Sequence, residues 1–321
     1  SCGEGEDTLT SEVGELPQIP QAIVLKTGDP LEITRDSAPG SPAEYGDRNE
    51  VIQPARISCQ VPEVFEELQP GEAIMLDDGK MEGIIREVDE NRILVEVTQT
   101  VGGAFKLKAD KGINLPSSNL SLAGLTRKDR KDLHFAAAHA DLVSLSFVNS
   151  ASDVKELCAA LDDLEADALG IILKIETLKG FKKLPNILLA GMRRYPMGVM
   201  IARGDLAIET GWQNLARIQE EILWMCEAAH APIIWATQVL ESLVKTGQPS
   251  RAEISDVSIS DRAECVMLNK GRHIIQTVKM LSEILQSMES YQDKKAPLLP
   301  IWHTEEDPAD TIKERHRKKP R

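Results

Sequence analysis

From Ala22 to Pro116 the apolar residues come in short runs separated by turn signals. Ala22-Ile-Val-Leu25, Ala73-Ile-Met-Leu76, Gly83-Ile-Ile85 and Ile93-Leu-Val-Glu-Val97 are broken by Gly28-Asp-Pro30, Asp77-Asp-Gly79 and Asp89-Glu-Asn91. Such spacing predicts a small antiparallel β domain over 22–116. After Pro116 the rhythm changes to strand followed by helix. Strands are predicted at Leu142–Val148, Ile171–Glu176, Val199–Asp205, Ile233–Gln238 and Cys265–Asn269, spaced by roughly thirty residues, the size of one βα unit. Helical periodicity fills the gaps. A helix over Thr126–His139 leads in, Ser150 or Ser152 caps one carrying Val154, Leu157 and Leu161, and two more present Leu215, Ile218, Ile222 and Met225, then Ile274, Val278, Leu281 and Leu285.

Repeated βα units of this kind form either an open doubly wound sheet or a closed (β/α)8 barrel. No glycine-rich phosphate loop follows the first strand, which weakens the dinucleotide-binding sheet. Polar residues gather at the C-terminal ends of successive strands, the functional face of a barrel. The fold expected over 117–290 is therefore α/β, an incomplete (β/α)8 TIM barrel of about five βα units. Residues 1–21 read as an acidic, disordered segment and 291–321 as a polar, basic, disordered tail.

Two of the strands carry charge where charge is expensive. Lys174 and Glu176 follow Ile171-Ile-Leu173, and because strand side chains alternate between faces the two point the same way. One unit later Val199-Met-Ile-Ala202 runs into Arg203-Gly-Asp205. Charges in an apolar strand need a partner or an ion. Two carboxylates on adjacent strand ends, Glu176 and Asp205, suit a hard cation such as Mg2+ that keeps positions open for substrate oxygens. Lys174 beside them could neutralise a phosphoryl group or protonate a carbanion. A purely structural Lys–Glu–Asp cluster satisfies the same residues. Thr237, near the end of the next strand, could orient a carboxylate or cap a helix, and Arg251 in Pro249-Ser-Arg-Ala-Glu253 could be an ion-pair partner.

Composition narrows the function. A net charge of −14 disfavours a general nucleic-acid binder. No apolar run is long enough to span a bilayer, and the N-terminus lacks the regions of a signal peptide. Five scattered cysteines without metal-ligand spacing read as reduced thiols in a cytoplasmic protein.

Taken together, Ile172-Leu-Lys-Ile-Glu176, Val199-Met-Ile-Ala-Arg-Gly-Asp-Leu-Ala-Ile-Glu209, Ala236-Thr-Gln-Val-Leu-Glu241, Arg251-Ala-Glu253 and Cys265-Val-Met-Leu268 resemble the pyruvate kinase family in order and spacing. Asp77-Asp-Gly79 and Lys111-Gly-Ile-Asn-Leu-Pro116 resemble the ends of that family's lid domain, and Leu145-Ser-Phe-Val148 with Ala151-Ser-Asp-Val154 its fourth barrel strand and next helix. The resemblance covers about residues 22 to 290 and implies a TIM barrel interrupted by a small β-barrel lid, here 22–116. It implies transfer of the phosphoryl group of phosphoenolpyruvate to ADP, giving pyruvate and ATP, with Mg2+ and K+. Glu176 and Asp205 become the Mg2+ ligands and Lys174 the residue that stabilises the transferring phosphoryl group. The backbone of Gly204 and Asp205, with the Thr237 hydroxyl, would take the substrate carboxylate, and Lys111 the nucleotide. Nucleic acid and membrane are not expected partners, and assembly into a homo-oligomer is allowed.

The resemblance also has gaps. The family's first three barrel strands, with a phosphate-binding arginine and most K+ ligands, have no counterpart, and no C-terminal regulatory domain follows. Asn269-Lys270-Gly271 stands where the family has Ser-Gly-Glu. A barrel short of three strands exposes sheet edges, so the expectation is a piece of a longer protein, or else a second chain over the gap. An isolated chain of this kind should be nearly inactive. Two other readings stay open: a non-catalytic binding or regulatory relative, and an Mg2+-dependent pyruvate lyase or aldolase, against which the lid argues.

Overall fold

A computed structural model describes residues 22–288, apart from 49, 60, 110, 117 and 119–123. The acidic segment 1–21 and the tail 291–321 lie outside the described residues. The chain divides between Ile113 and Asn114 into two compact units.

The first unit is built of strands β1 (Ile23–Leu25), β2 (Pro30–Thr34), β3 (Glu44–Tyr45), β4 (Val51–Gln53), β5 (Ala55–Ser58), β6 (Ala73–Leu76), β7 (Met81–Val88), β8 (Arg92–Thr100), β9 (Phe105–Leu107) and β10 (Ile113–Asn114), the last residue of which, Asn114, already belongs to the second unit. Six of them form one sheet in the order β10-β6-β7-β8-β2-β5. Every second residue of β8 is buried, Ile93, Val95 and Val97 facing the core while Arg92, Leu94 and Glu96 are less covered, the period-2 pattern of a sheet with one wet face. The β6–β7 hairpin turns through Asp77, Asp78 and Gly79, all at positive φ, the geometry that matches the twist of the strands and that Asp and Gly adopt most readily. One feature departs from the antiparallel expectation: β2 and β5 run parallel, because the chain passes through the short β3–β4 pair before returning.

The second unit alternates helices and strands: α1 (Arg127–His139), β11 (Leu142–Leu145), α2 (Ala151–Asp163), β12 (Gly170–Ile175), α3 (Leu178–Lys182), α4 (Leu184–Gly191), β13 (Met197–Ala202), α5 (Arg203–Thr210), α6 (Trp212–Ala228), β14 (Ile233–Val239), α7 (Glu241–Thr246), α8 (Arg251–Ser260), β15 (Cys265–Leu268) and α9 (Ile274–Met288). Capping boxes begin α1, α2 and α8, with Thr126, Ser150 and Ser250 answered by Asp129, Asp153 and Glu253. The strands pair parallel in the order β11-β12-β13-β14-β15. That order never reverses, whereas a doubly wound sheet has a switch point where it does.

Residues alternate strictly across this sheet. Ile171, Leu173 and Ile175 of β12, Val199 and Ile201 of β13, and Ile233 and Trp235 of β14 join the core packed by the helices. The intervening positions Ile172, Lys174, Met200 and Ile234 lie on the opposite face, where Lys174 is in register with Met200 and Met200 with Ile234. The strand expected at Val199–Asp205 stops at Ala202, since Arg203, Gly204 and Asp205 open α5. The strand expected at Leu142–Val148 likewise ends at Leu145. The described cysteines, Cys59, Cys158, Cys226 and Cys265, are free thiols. No helix among the described residues is long and apolar enough to cross a membrane.

Candidate active site

The chemistry-bearing residues of the second unit stand at the C-terminal ends of β11 to β14. Glu176 follows the last residue of β12 and is 2% exposed. Its Oε1 lies 2.7 Å from Lys174 Nζ, and its Oε2 accepts the backbone N–H of Phe147, just beyond β11. Lys174 reaches past the carboxylate to donate to Ser146 Oγ at 2.8 Å. Strand alternation explains the pair: two residues apart on β12, both side chains leave the face opposite the helix core.

Burial is the largest influence on Glu176 and holds its carboxyl above the usual carboxylate range. Lys174 and the Phe147 N–H oppose that shift, while the negative charge of Asp205 adds to it. Asp205 is therefore an electrostatic neighbour of Glu176. It occupies the first turn of α5, where the helix dipole favours a carboxylate, and its Oδ1 accepts a hydrogen bond from Asn114 Nδ2 at 3.1 Å. One helical turn later, Glu209 is pushed up to about 7 by burial and then by the Asp205 charge.

Gly204 precedes Asp205, and its N–H donates to Thr237 Oγ1 at 2.8 Å. That donor, expected from the sequence to face a substrate carboxylate, is thus engaged by the Thr237 hydroxyl oxygen, whose own proton stays available for a ligand. A Cβ built on Gly204 would meet nothing closer than Thr237 Oγ1 at 3.5 Å. Packing alone does not demand glycine at this helix start. Thr237 has φ 68, followed by Gln238 at 56 and Leu240 at 50. A β-branched residue in the left-handed region is a backbone outlier of the kind that clusters at functional sites.

Lys174, Glu176, Gly204, Asp205 and Thr237 thus occupy neighbouring strand ends of one sheet. Lys111 belongs to the first unit, where its ammonium lies 2.9 Å from Asp77. Arg251 is exposed at the start of α8. Sequence reasoning missed Ser146, Asn114 and Glu209 as members of this cluster. Only Glu209 carried a signal, its spacing of four from Asp205.

The donor set fits a hard divalent cation. A buried acid raised by its environment and pressed further by a second acid is relieved by a cation between them. Among the described residues no three His, Cys, Asp or Glu gather as a metal site. Two carboxylates would leave the other positions to water and substrate oxygens, the habit of Mg2+. No residue of the cluster makes a comparable case for K+.

The family model described as pyruvate kinase, barrel domain, matches residues 12–274. The chain belongs to the pyruvate kinase family. It is 34% identical over 270 residues to pyruvate kinase of Geobacillus stearothermophilus, covering 82% of this chain and 43% of the relative. With pyruvate kinase of Agrobacterium vitis the identity is 36% over 237 residues, 72% of this chain and 46% of the relative. With human pyruvate kinase PKLR it is 33% over 283 residues, 86% and 45% respectively. The chain spans about half the length of the pyruvate kinases it matches.

Proposed function

We propose that this chain carries the metal, phosphoryl and carboxylate-binding part of a pyruvate kinase site, on five units of a (β/α)8 barrel with 22–116 as its inserted lid. In the reaction proposed, the phosphoryl group of phosphoenolpyruvate leaves the enol oxygen for the terminal phosphate oxygen of ADP. The enolate then takes a proton at C3 to become pyruvate. The observation that carries this reading is the Glu176 carboxylate, 2% exposed and paired at 2.7 Å with Lys174, held above the ordinary carboxylate range first by burial and to a lesser degree by the charge of Asp205.

Glu176 and Asp205 would hold Mg2+, which when bound supplies a compact positive centre against phosphoryl and carboxylate oxygens. Lys174, steered by Glu176 and Ser146, brings an ammonium to the transferring group, whose negative charge is the main thing such a site must offset. The Thr237 O–H and the Asp205 N–H at the start of α5 orient the substrate carboxylate. Lys111 is the residue of the first unit proposed for the nucleotide. Phosphoenolpyruvate and ADP are the proposed substrates.

A second reading, binding without turnover, draws support from Asn269-Lys270-Gly271 in place of the family's Ser-Gly-Glu. One experiment separates the two. Calorimetry should show Mg2+-dependent binding of oxalate, a planar dianion shaped like the enolate, and Lys174→Met should weaken it by about tenfold or more, the weight of a charged hydrogen bond. Pyruvate formation from phosphoenolpyruvate and ADP, abolished by Lys174→Met, supports the kinase. Oxalate binding with no turnover by the protein in its full natural length supports the second reading. Absence of Mg2+-dependent oxalate binding sinks both.

A further inference from the structure

Arg203 has no part in the reading above, yet every nitrogen of its guanidinium is engaged. It opens α5, and its side chain is 12% exposed. Nε donates to the Ala236 carbonyl at 2.9 Å and Nη2 to the Thr237 carbonyl at 2.5 Å. Nη1 donates to Asp256 Oδ1 on α8. The guanidinium carbon sits over the Trp235 ring, 4.7 Å from its centroid.

Three of these four contacts act on residues 235–237. In a regular parallel strand, successive carbonyls point to opposite neighbours. Here those of Ala236 and Thr237 both turn to one cation, and the register between β14 and β15 shifts between Trp235 and Val239. Left-handed backbone at a β-branched residue is strained and persists only where its surroundings impose it. The Arg203 fork is what imposes it here, and its product is a Thr237 hydroxyl oxygen 2.8 Å from the Gly204 N–H.

We infer that Arg203 and Asp256 are a positioning pair for the candidate site. The guanidinium clamps the two carbonyls, Asp256 fixes the fork from the far side and balances its charge, and Trp235 supports its face. Together they hold the Thr237 hydroxyl at the start of α5 with its proton directed to a substrate carboxylate. Neither residue touches substrate. The inference rests on the proposed function, since Thr237 matters only if that site takes a carboxylate. An ammonium cannot replace the planar fork, which meets two carbonyls, a carboxylate and a ring at once.

The test uses the full chain, glycine-labelled with 15N, and compares wild type with Arg203→Lys, Asp256→Asn and Lys174→Met. Two readouts are taken: the Gly204 amide resonance, which reports its hydrogen bond to Thr237, and Mg2+-dependent oxalate affinity. Arg203→Lys and Asp256→Asn should both move the Gly204 resonance and weaken oxalate by about tenfold, the factor of one lost hydrogen bond. Lys174→Met should weaken oxalate while leaving that resonance in place. A role in stability alone would lower the melting temperature of Arg203→Lys without moving the resonance or the affinity of the folded protein, and that result overturns the inference. If wild type binds no oxalate, the functional reading falls and this inference with it. If wild type binds and Arg203→Lys binds equally, only this inference falls.

Discussion

The main sheets of the two units carry their charges differently. In the six-stranded sheet of the first unit, ion pairs lie on the wet face: Arg86 and Glu96 meet at 2.9 Å with side chains 49% and 46% exposed, and Arg92 serves Glu32, Glu87 and Asp89 in the open. In the parallel sheet of the second unit, charges stand at strand ends with little water around them, Glu176 almost fully buried and Arg203 nearly so. Exposed pairs of the first kind contribute little, about 0–1 kcal/mol, while burying a pair costs desolvation that packing with apolar residues would avoid. Glu176 is held above its ordinary carboxylate range by that burial, despite its lysine.

The sharpest way to break this contrast is Glu176→Gln. The amide keeps the shape and the acceptor for the Phe147 N–H but removes the charge. Mg2+-dependent oxalate binding should fall by about a hundredfold or more, since two charge-assisted contacts each of about 1.5–3 kcal/mol go with it. Stability without ligand should hold or rise, because Lys174 reaches both Ser146 and solvent and the cost of a buried anion disappears. Melting curves with and without Mg2+ and oxalate decide it. A large loss of stability in the unliganded variant would mean that the pair is structural after all.

Next in size is Gly204→Ala. Beyond its chain neighbours and its own helix, the nearest atom to the added Cβ is Thr237 Oγ1 at 3.5 Å, and alanine in a helix is favoured over glycine by about 0.5–1 kcal/mol. The variant should therefore be as stable as wild type or slightly more so. Oxalate affinity should nonetheless drop about tenfold or more, because the methyl group occupies the space facing the Thr237 hydroxyl. Parallel loss of stability and affinity would show that the glycine serves packing.

How much of this is legible in the sequence follows from which forces are local. The alternation in Ile171-Ile-Leu-Lys-Ile-Glu176 identifies a strand and puts Lys174 and Glu176 on one face, because the period of 2 is a property of the backbone. Thr126, Ser150 and Ser250 announce helix starts through side chains only three residues away. The end of β13 is not legible, since Val199-Met-Ile-Ala202 continues smoothly into Arg203-Gly-Asp205 and no cap residue stands at Ala202. Just past that end, the Arg203 fork engages residues 34 and 53 positions away. Long-range contacts of that kind leave no periodic trace. The parallel β2–β5 pairing is hidden for the same reason, as is Asn114, which meets Asp205 across 91 residues.

A smaller effect is expected in pH dependence. Glu209 is raised from 4.5 to about 7, chiefly by burial and then by Asp205. Between those values the native state keeps a proton that the unfolded chain has released, so stability falls as pH rises from about 4.5 to about 7 and levels off above. Glu176, also raised, contributes in the same direction. Glu209→Gln should flatten this slope, read as the change in urea midpoint between pH 5 and pH 7.5. An identical slope in wild type and variant would assign the whole dependence to other groups and remove Glu209 from the electrostatic cluster.

The smallest effect expected comes from the first unit. Arg86→Ala removes one partner of an exposed pair between β7 and β8. The pair lies on the solvent face, each side chain about half exposed, so water and salt take over much of what the contact supplies. Cross-strand opposite charges add about 0.2–1 kcal/mol relative to alanine, and the shortened side chain buries nothing new. The urea midpoint should shift by less than the equivalent of about 1 kcal/mol at low ionic strength, and by less again in salt of about 1 M, where the screening length falls to about 3 Å. Oxalate affinity should not change at all. A shift several times larger, insensitive to salt, would mean that charge on the wet face of this sheet carries structural weight comparable to the buried groups at the ends of β12 and β13, and the contrast between the two units would lose its meaning.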